Sequence, residues 1–141
     1  MSTEQNKAIV RRWLLEGFNN CDLTAVEECL TEDYLNHGTT EARGHEGGRQ
    51  VLTQARAFGP DARITITYMV AEGEIVMVLF TVHGTYTFSR GGVPTPGKQV
   101  NLTMVDVFRF REGKICEAWV IRDRMEMQEQ LGMLHGMDAS R

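Results

Sequence analysis

The chain has 141 residues, 42% hydrophobic and 24% charged, with a formal net charge of −4. That length suits a single domain, 1–141, with a core of its own. The acidic balance and the lack of a basic run argue against a nucleic-acid partner, and no apolar run approaches the roughly 18 residues of a membrane span.

The N-terminus, MSTEQNK, is polar, and no apolar run follows it that suits a signal peptide. Ser2 with Gln5 three residues later forms a capping-box pattern. It predicts a first helix to about Phe18, with Ala8, Ile9, Trp13 and Phe18 as its apolar stripe, widened by Leu14 and Leu15. A short second helix spans about Leu23 to Leu30 and buries Leu23, Val26 and Leu30. Thr31 to Gly38 is a short extended piece running into a glycine turn. Gly44 to about Phe58 is a third helix, glycine-rich at its front, with apolar contact from Val51, Leu52, Ala55 and Phe58. Strands follow: Arg63 to Ala71, with Ile64, Ile66 and Tyr68 on one side, then Glu74 to Tyr86. Ser89 to Gly97 is a loop by composition, either a lid over one end of the sheet or only a long turn. Asp123 caps a short last helix to about Gly132, and residues 134–141 form a flexible tail. Helices segregated from strands predict an α+β fold, with helices on one face of a curved antiparallel sheet.

Asn101 to Asp123 reads as a hairpin broken at Arg111-Glu112-Gly113. A three-residue loop with Gly113 at positive φ pairs Phe110 with Lys114, Asp106 with Ala118 and Met104 with Val120. Alternation then puts Met104, Asp106, Phe108, Phe110, Cys116, Ala118, Val120 and Arg122 on one face. Val105, Val107, Arg109, Ile115, Glu117, Trp119, Ile121 and Asp123 share the other. The second face is too apolar to leave in water, which predicts a homodimer through the outer sheet face. Cys21, Cys29 and Cys116 are an odd number at no metal spacing. They read as free thiols of a cytoplasmic protein, and the chain offers no credible metal ligand set.

Several motifs together resemble a known family. They are Gln5-Asn6-Lys7 with Val10-Arg11-Arg12, Asp33-Tyr34 with His37, Ala71-Glu72-Gly73, Pro96-Gly97-Lys98, Phe108 to Trp119, and Gln130-Leu131-Gly132. The pattern is similar to the SnoaL-like polyketide cyclases of the nuclear-transport-factor-2-like superfamily. The resemblance implies a cone-shaped barrel, a curved sheet wrapped around the first helix, with an apolar cavity at its open end. It also implies cofactor-independent acid/base chemistry on a small apolar, carbonyl-bearing, polyketide-like molecule. In those cyclases the acid/base is an Asp directly after the position of Trp119. Here that position is Val120. A family His falls on Asp106 and a family Gln on Met104.

Asp106, alone among apolar neighbours, is the candidate acid/base, because desolvation raises a carboxyl toward neutrality. The other reading is a buried acid tied to a backbone amide or to Arg122. His37 is the second candidate catalytic group, with a turn-capping surface histidine as its alternative, and a His37–Asp106 couple is expected if both face the cavity. Tyr34 and Asn36 are candidates to contact a substrate carbonyl, or else pack in the core and bond a turn. Trp13, Phe18, Val51, Met104 and Val120 are expected to line the cavity, and Arg122 is an anion contact at its rim, a partner to Asp106 or a solvated charge. Two function classes follow, a cofactor-free enzyme or a binding or accessory domain that has lost catalysis at Val120, and a third reading, a purely structural dimerisation module, rests on the apolar outer face alone.

Overall fold

The computed structural model describes residues 2–38, 41–55, 59–86, 89–90, 93–94 and 97–130. Several expectations therefore fall on residues outside the description. They are the third helix's end at Phe58, the flexible tail, Leu131-Gly132, and most of the loop around Gly91-Gly92.

Helix α1 spans Thr3–Arg11, and its capping box forms as the sequence predicts. The Ser2 hydroxyl accepts from the Gln5 N–H at 3.1 Å, and the Gln5 side chain accepts from the Ser2 N–H at 2.9 Å. From Arg12 to Phe18 the helix widens into a π-helical segment. Asn19 fastens its end: the carboxamide accepts from the Ile64 N–H at 2.7 Å and donates to the Ile64 carbonyl at 3.2 Å. Helix α2 spans Thr24–Cys29 and buries Ala25, Val26 and Cys29. Leu23, expected in the core, is exposed, because it sits at the N-cap of α2 rather than within it.

Strand β1 (Leu30–His37) continues into β2 (Glu41–Arg43) and α3 (Gly44–Ala55). The glycines at the front of α3 allow close approach to these strands. A Cβ on Gly48 would lie 2.5 Å from Leu30 Cδ1, and one on Gly47 would lie 2.8 Å from the Ala42 carbonyl carbon. Strands β3 (Arg63–Glu72), β4 (Ile75–Tyr86), β7 (Lys98–Arg111) and β8 (Lys114–Arg122) form an antiparallel run, with a short β5–β6 pair (Ser89–Arg90, Val93–Pro94) between β4 and β7. Helix α4 (Arg124–Gln130) follows. The main sheet has the order β2-β1-β8-β7-β4-β3. It is mixed, because β1 runs parallel to β8.

The β7–β8 register differs from the expected one by two residues. The turn is the tighter two-residue form, Arg111 pairing Lys114, with both Glu112 and Gly113 at positive φ. A second residue is absorbed at Cys116, where the ladder passes from Arg109↔Glu117 to Phe110↔Ile115. Met104 therefore pairs with Arg122, not Val120, and Asp106 pairs with Val120, not Ala118. A shift of two restores the side-chain face, so the facing of 104–108 and 118–122 survives. At the bulge it does not: Ile115, expected outside, is fully buried in the core cluster. A similar bulge at Thr67 separates Ile66↔Phe80 from Tyr68↔Leu79. It turns Tyr68 away from Ile64 and Ile66, leaving it 70% exposed.

The core lies between the helices and one sheet face. Val10, Trp13, Leu14, Val26 and Leu52 pack with Val76, Val78, Phe80, Phe108, Phe110, Ile115 and Ala118. Each such large side chain contributes about 1.5–3 kcal/mol on burial. Strand β8 ends opposite Met104, so the start of β7 has lost that neighbour. Helix α4 takes its place. Glu126 accepts from the Thr103 N–H, and Gln130 both accepts from the Asn101 N–H and donates to its carbonyl, each of the last two at 2.7 Å.

Candidate functional site

Asp106 lies on the core face of β7. Its ladder partners are Val78 on β4 and Val120 on β8, and Met104 and Phe108 share its face on β7. It is 6% exposed, and its Oδ1 has no hydrogen-bond partner. Burial raises its carboxyl to about 7, against an opposing pull from Arg122. The expected tie to a backbone amide is absent at Oδ1, the sealed oxygen. Arg122 is exposed, one inward-facing step further along β8 and opposite Met104.

Tyr34 and Asn36 stand on the same face of β1, both buried. Asn36 pairs with Ala118, which pairs in turn with Phe108. The row holding Asn36 is thus adjacent to the row holding Asp106. The Tyr34 hydroxyl donates to Asn36 Oδ1 at 2.8 Å. Burial, and then the charge of Asp106, push the Tyr34 phenol well above its ordinary range, so it stays a neutral donor.

His37 is not part of this group. As the next residue after Asn36 on a strand it points the other way, and the expected His37–Asp106 couple does not form. Its ring stacks on Trp119 with centroids 5.2 Å apart, and its Nε2 lies 2.7 Å from Glu117 Oε2. Arg109 donates to the other Glu117 oxygen from Nε and Nη2 at 3.1 and 3.0 Å. The Glu117 carboxyl is held below its usual range first by the His37 bond and also, against burial, by Arg109. This outer-face cluster is missing from the sequence reading. The signal for it is parity: once Tyr34 to His37 is a strand, a buried Tyr34 and Asn36 force His37 outward.

Of the residues expected to line a cavity, Trp13 is buried in the core. Phe18, Val51 and Met104 are partly buried and packed against it. Val120 is partly exposed beside Asp106. Among the described residues, no group of three or more His, Cys, Asp or Glu gathers as a metal site, and no helix is long and apolar enough to cross a membrane.

Comparison with known proteins places this geometry in a family. The model of the SnoaL-like polyketide cyclases matches residues 8–131. A search of curated proteins found no match. Among solved structures, IdmH from Streptomyces antibioticus is 31% identical, with a TM-score of 0.78 over 91% of this chain and 99% of that one. TsrD from Streptomyces laurentii is 22% identical, with a TM-score of 0.84 over 95% and 99% of the two chains. A SnoaL-like protein from Jannaschia sp. CCS1 is 22% identical, with a TM-score of 0.80 over 92% of each. Their shared architecture is the nuclear-transport-factor-2-like fold, and with the family model spanning nearly its whole length, this chain belongs to the SnoaL-like polyketide cyclases.

Proposed function

We propose that this protein is a cofactor-independent enzyme acting on a small, apolar, polyketide-like carbonyl compound, with Asp106 moving the proton. The ionised carboxyl removes a proton from the carbon next to the carbonyl. The electron pair left behind forms an enolate, the enolate carbon attacks a second carbonyl of the same molecule, and the acid returns its proton to the new alkoxide. One observation carries this reading: Asp106 is the cross-strand partner of Val120. The family resemblance puts the acid at position 120, and partners across an antiparallel ladder have Cβ atoms about 4.5–5.5 Å apart. A carboxyl on β7 at 106 therefore reaches much of the space served by one on β8 at 120. A titration near 7 suits a group that must both take and give a proton at neutral pH.

The reading includes an apolar cavity walled by Met104 and Val120 near the acid and by Trp13, Phe18 and Val51 from the helices, with Arg122 at the rim. Among structural neighbours, IdmH is described as a candidate polyketide cyclase and AclR from Streptomyces galilaeus as a candidate hydroxylase. The test is exchange of the acidic C–H of 2-tetralone in D2O, followed by NMR. Asp106→Asn keeps shape and removes the titrating proton, so exchange should fall at least about 100-fold. A loss below about tenfold rejects Asp106 as the acid/base. Val120 itself favours the second reading, a binding or accessory domain without catalysis. Tight ketone binding with no exchange above buffer would select it.

The reading also includes a homodimer. Two apolar rows cross the outer face, Val70–Met77–Val107–Trp119 and Tyr68–Leu79–Val105–Ile121. Tyr68, Val70, Met77 and Ile121 are exposed. Together they make a patch of roughly several hundred Å², and a two-fold related copy presents the same rows in return. The free thiols of Cys21, Cys29 and Cys116 fit a reducing, cytoplasmic setting.

A further inference from the structure

We infer that Asn36 is the residue that binds the ligand's carbonyl oxygen, through its side-chain N–H group, and that Tyr34 is the residue that positions it. The inference rests on the carbonyl-ligand reading above and adds to it the group that recognises the oxygen.

The argument starts from hydrogen-bonding capacity. A carboxamide has one acceptor oxygen and two N–H donors, while a neutral phenol has a single donor. Tyr34 spends its donor on Asn36 Oδ1 at 2.8 Å. That bond occupies the amide oxygen and fixes the rotation of the amide plane. The edge left to act on a ligand is the NH2. Such a donor edge selects a molecule that brings an acceptor oxygen, and it rejects a shape-matched hydrocarbon because the N–H group is then left unpaired.

Placement supports the same role. Asn36 projects from the core face of β1, as its buried position and the outward turn of His37 require. Its ladder neighbour on β8 is Ala118, whose single methyl covers little of the amide from that side. Asp106 stands in the adjacent row, two strands away, and its charge is felt at the Tyr34 hydroxyl. One ligand therefore meets a donor at one end of its carbonyl unit and a proton acceptor at the other. Tyr34 does not touch the ligand in this arrangement and acts only through Asn36.

The test compares 2-tetralone with tetralin, which has the same two-ring frame without the oxygen. The native protein should bind the ketone at least about tenfold more tightly, the worth of one good hydrogen bond. Asn36→Leu should erase that preference while tetralin binding stays within about twofold. Tyr34→Phe should cut the preference several-fold and again spare tetralin. Asp106→Asn should keep it. A measurement on the unmodified protein guards against variants that fail to fold: the Asn36 side-chain amide signals in a 15N–1H spectrum should shift with 2-tetralone and not with tetralin. Failure of both compounds to bind, equal affinity for the two, or an unmoved Asn36 amide would overturn the inference. So would a Tyr34→Phe protein that is folded and keeps the full preference. Ketone preference without proton exchange would sink the catalytic role of Asp106 and leave this inference standing.

Discussion

Asp106 and Val120 are Cα partners across the β7–β8 ladder, both on the face that meets the helices. Because the two positions open on the same space, the acid should be movable between them. Asp106→Val is expected to abolish 2-tetralone exchange. Adding Val120→Asp to that variant is expected to restore at least about a tenth of the native rate, since cross-strand neighbours differ in reach by about 5 Å at Cβ. Exchange that stays at the buffer level in a folded double variant would show that the two positions are not interchangeable.

Ionisation of Asp106 predicts two opposite pH trends. Its carboxyl is raised to about 7, above the roughly 3.9 of an unfolded chain. The base form appears as pH rises, so exchange should climb about tenfold per pH unit up to about 7 and then level off. Stability runs the other way. Below about pH 4 the group is protonated both folded and unfolded. Between about 4 and 7 only the unfolded chain gives up the proton, so stability falls by about 1.4 kcal/mol per unit, roughly 4 kcal/mol in full. Urea unfolding of native protein and Asp106→Asn at pH 5 and pH 8 checks this. The native protein should lose about 3 kcal/mol relative to the variant across that interval.

His37 should be dispensable for chemistry. It faces away from Asp106 and bonds Glu117 on the outer face. His37→Ala is therefore expected to leave 2-tetralone exchange within about threefold of native, against the 100-fold or larger effect at Asp106. A loss comparable to that of Asp106→Asn would place His37 in the proton path after all.

Trp119 tests the assembly. It sits in the apolar row with Val107 and Met77, stacked under His37. Trp119→Glu adds a second carboxylate beside Glu117 and removes a large apolar surface. Sedimentation should show a dimer for the native protein at micromolar concentration and a monomer for the variant. Identical masses for the two would remove this face from the interface.

Asn19 carries a structural prediction. Its side chain satisfies both backbone groups of Ile64, and the pair is buried. Asn19→Ala leaves a buried N–H and carbonyl unpaired, which costs about 2–4 kcal/mol. Thermal unfolding should show a clearly lower Tm, with exchange chemistry at 25 °C unaffected in the folded fraction.

Much of this architecture is legible in local patterns. The capping box at Ser2 and the N-cap at Asp123 mark helix starts because the cap chemistry is written in adjacent residues. Alternation gives the facing of β7 and β8, and it finds Asp106 as a lone acid on an apolar face. What escapes is the single inserted residue. Thr67 and Cys116 each add one position to a strand, and nothing in composition distinguishes a bulged residue from its neighbours. Tyr68 and Ile115 are misfaced for that reason alone. At the hairpin, the bulge and the tighter turn offset each other, so the acid's facing is right although its partner is not. The facing of His37 turns on whether Thr31 to Gly38 is a strand or a turn entry. That is decided by pairing with β8, far away in sequence, and the Glu117–Arg109 cluster is hidden for the same reason.

The parallel seam between β1 and β8 also orders the making of the molecule. The His37–Glu117 bond spans 80 positions of chain. As the chain leaves the ribosome, β1 has β2 and α3 beside it long before β8 exists. Its other edge must wait until residues 114–122 have emerged. Loops of that length close late and slowly. The half of the proposed site on β1 and the half on β7 thus come together only when nearly the whole chain has been synthesised, and a chain cut short before β8 carries both halves without ever joining them.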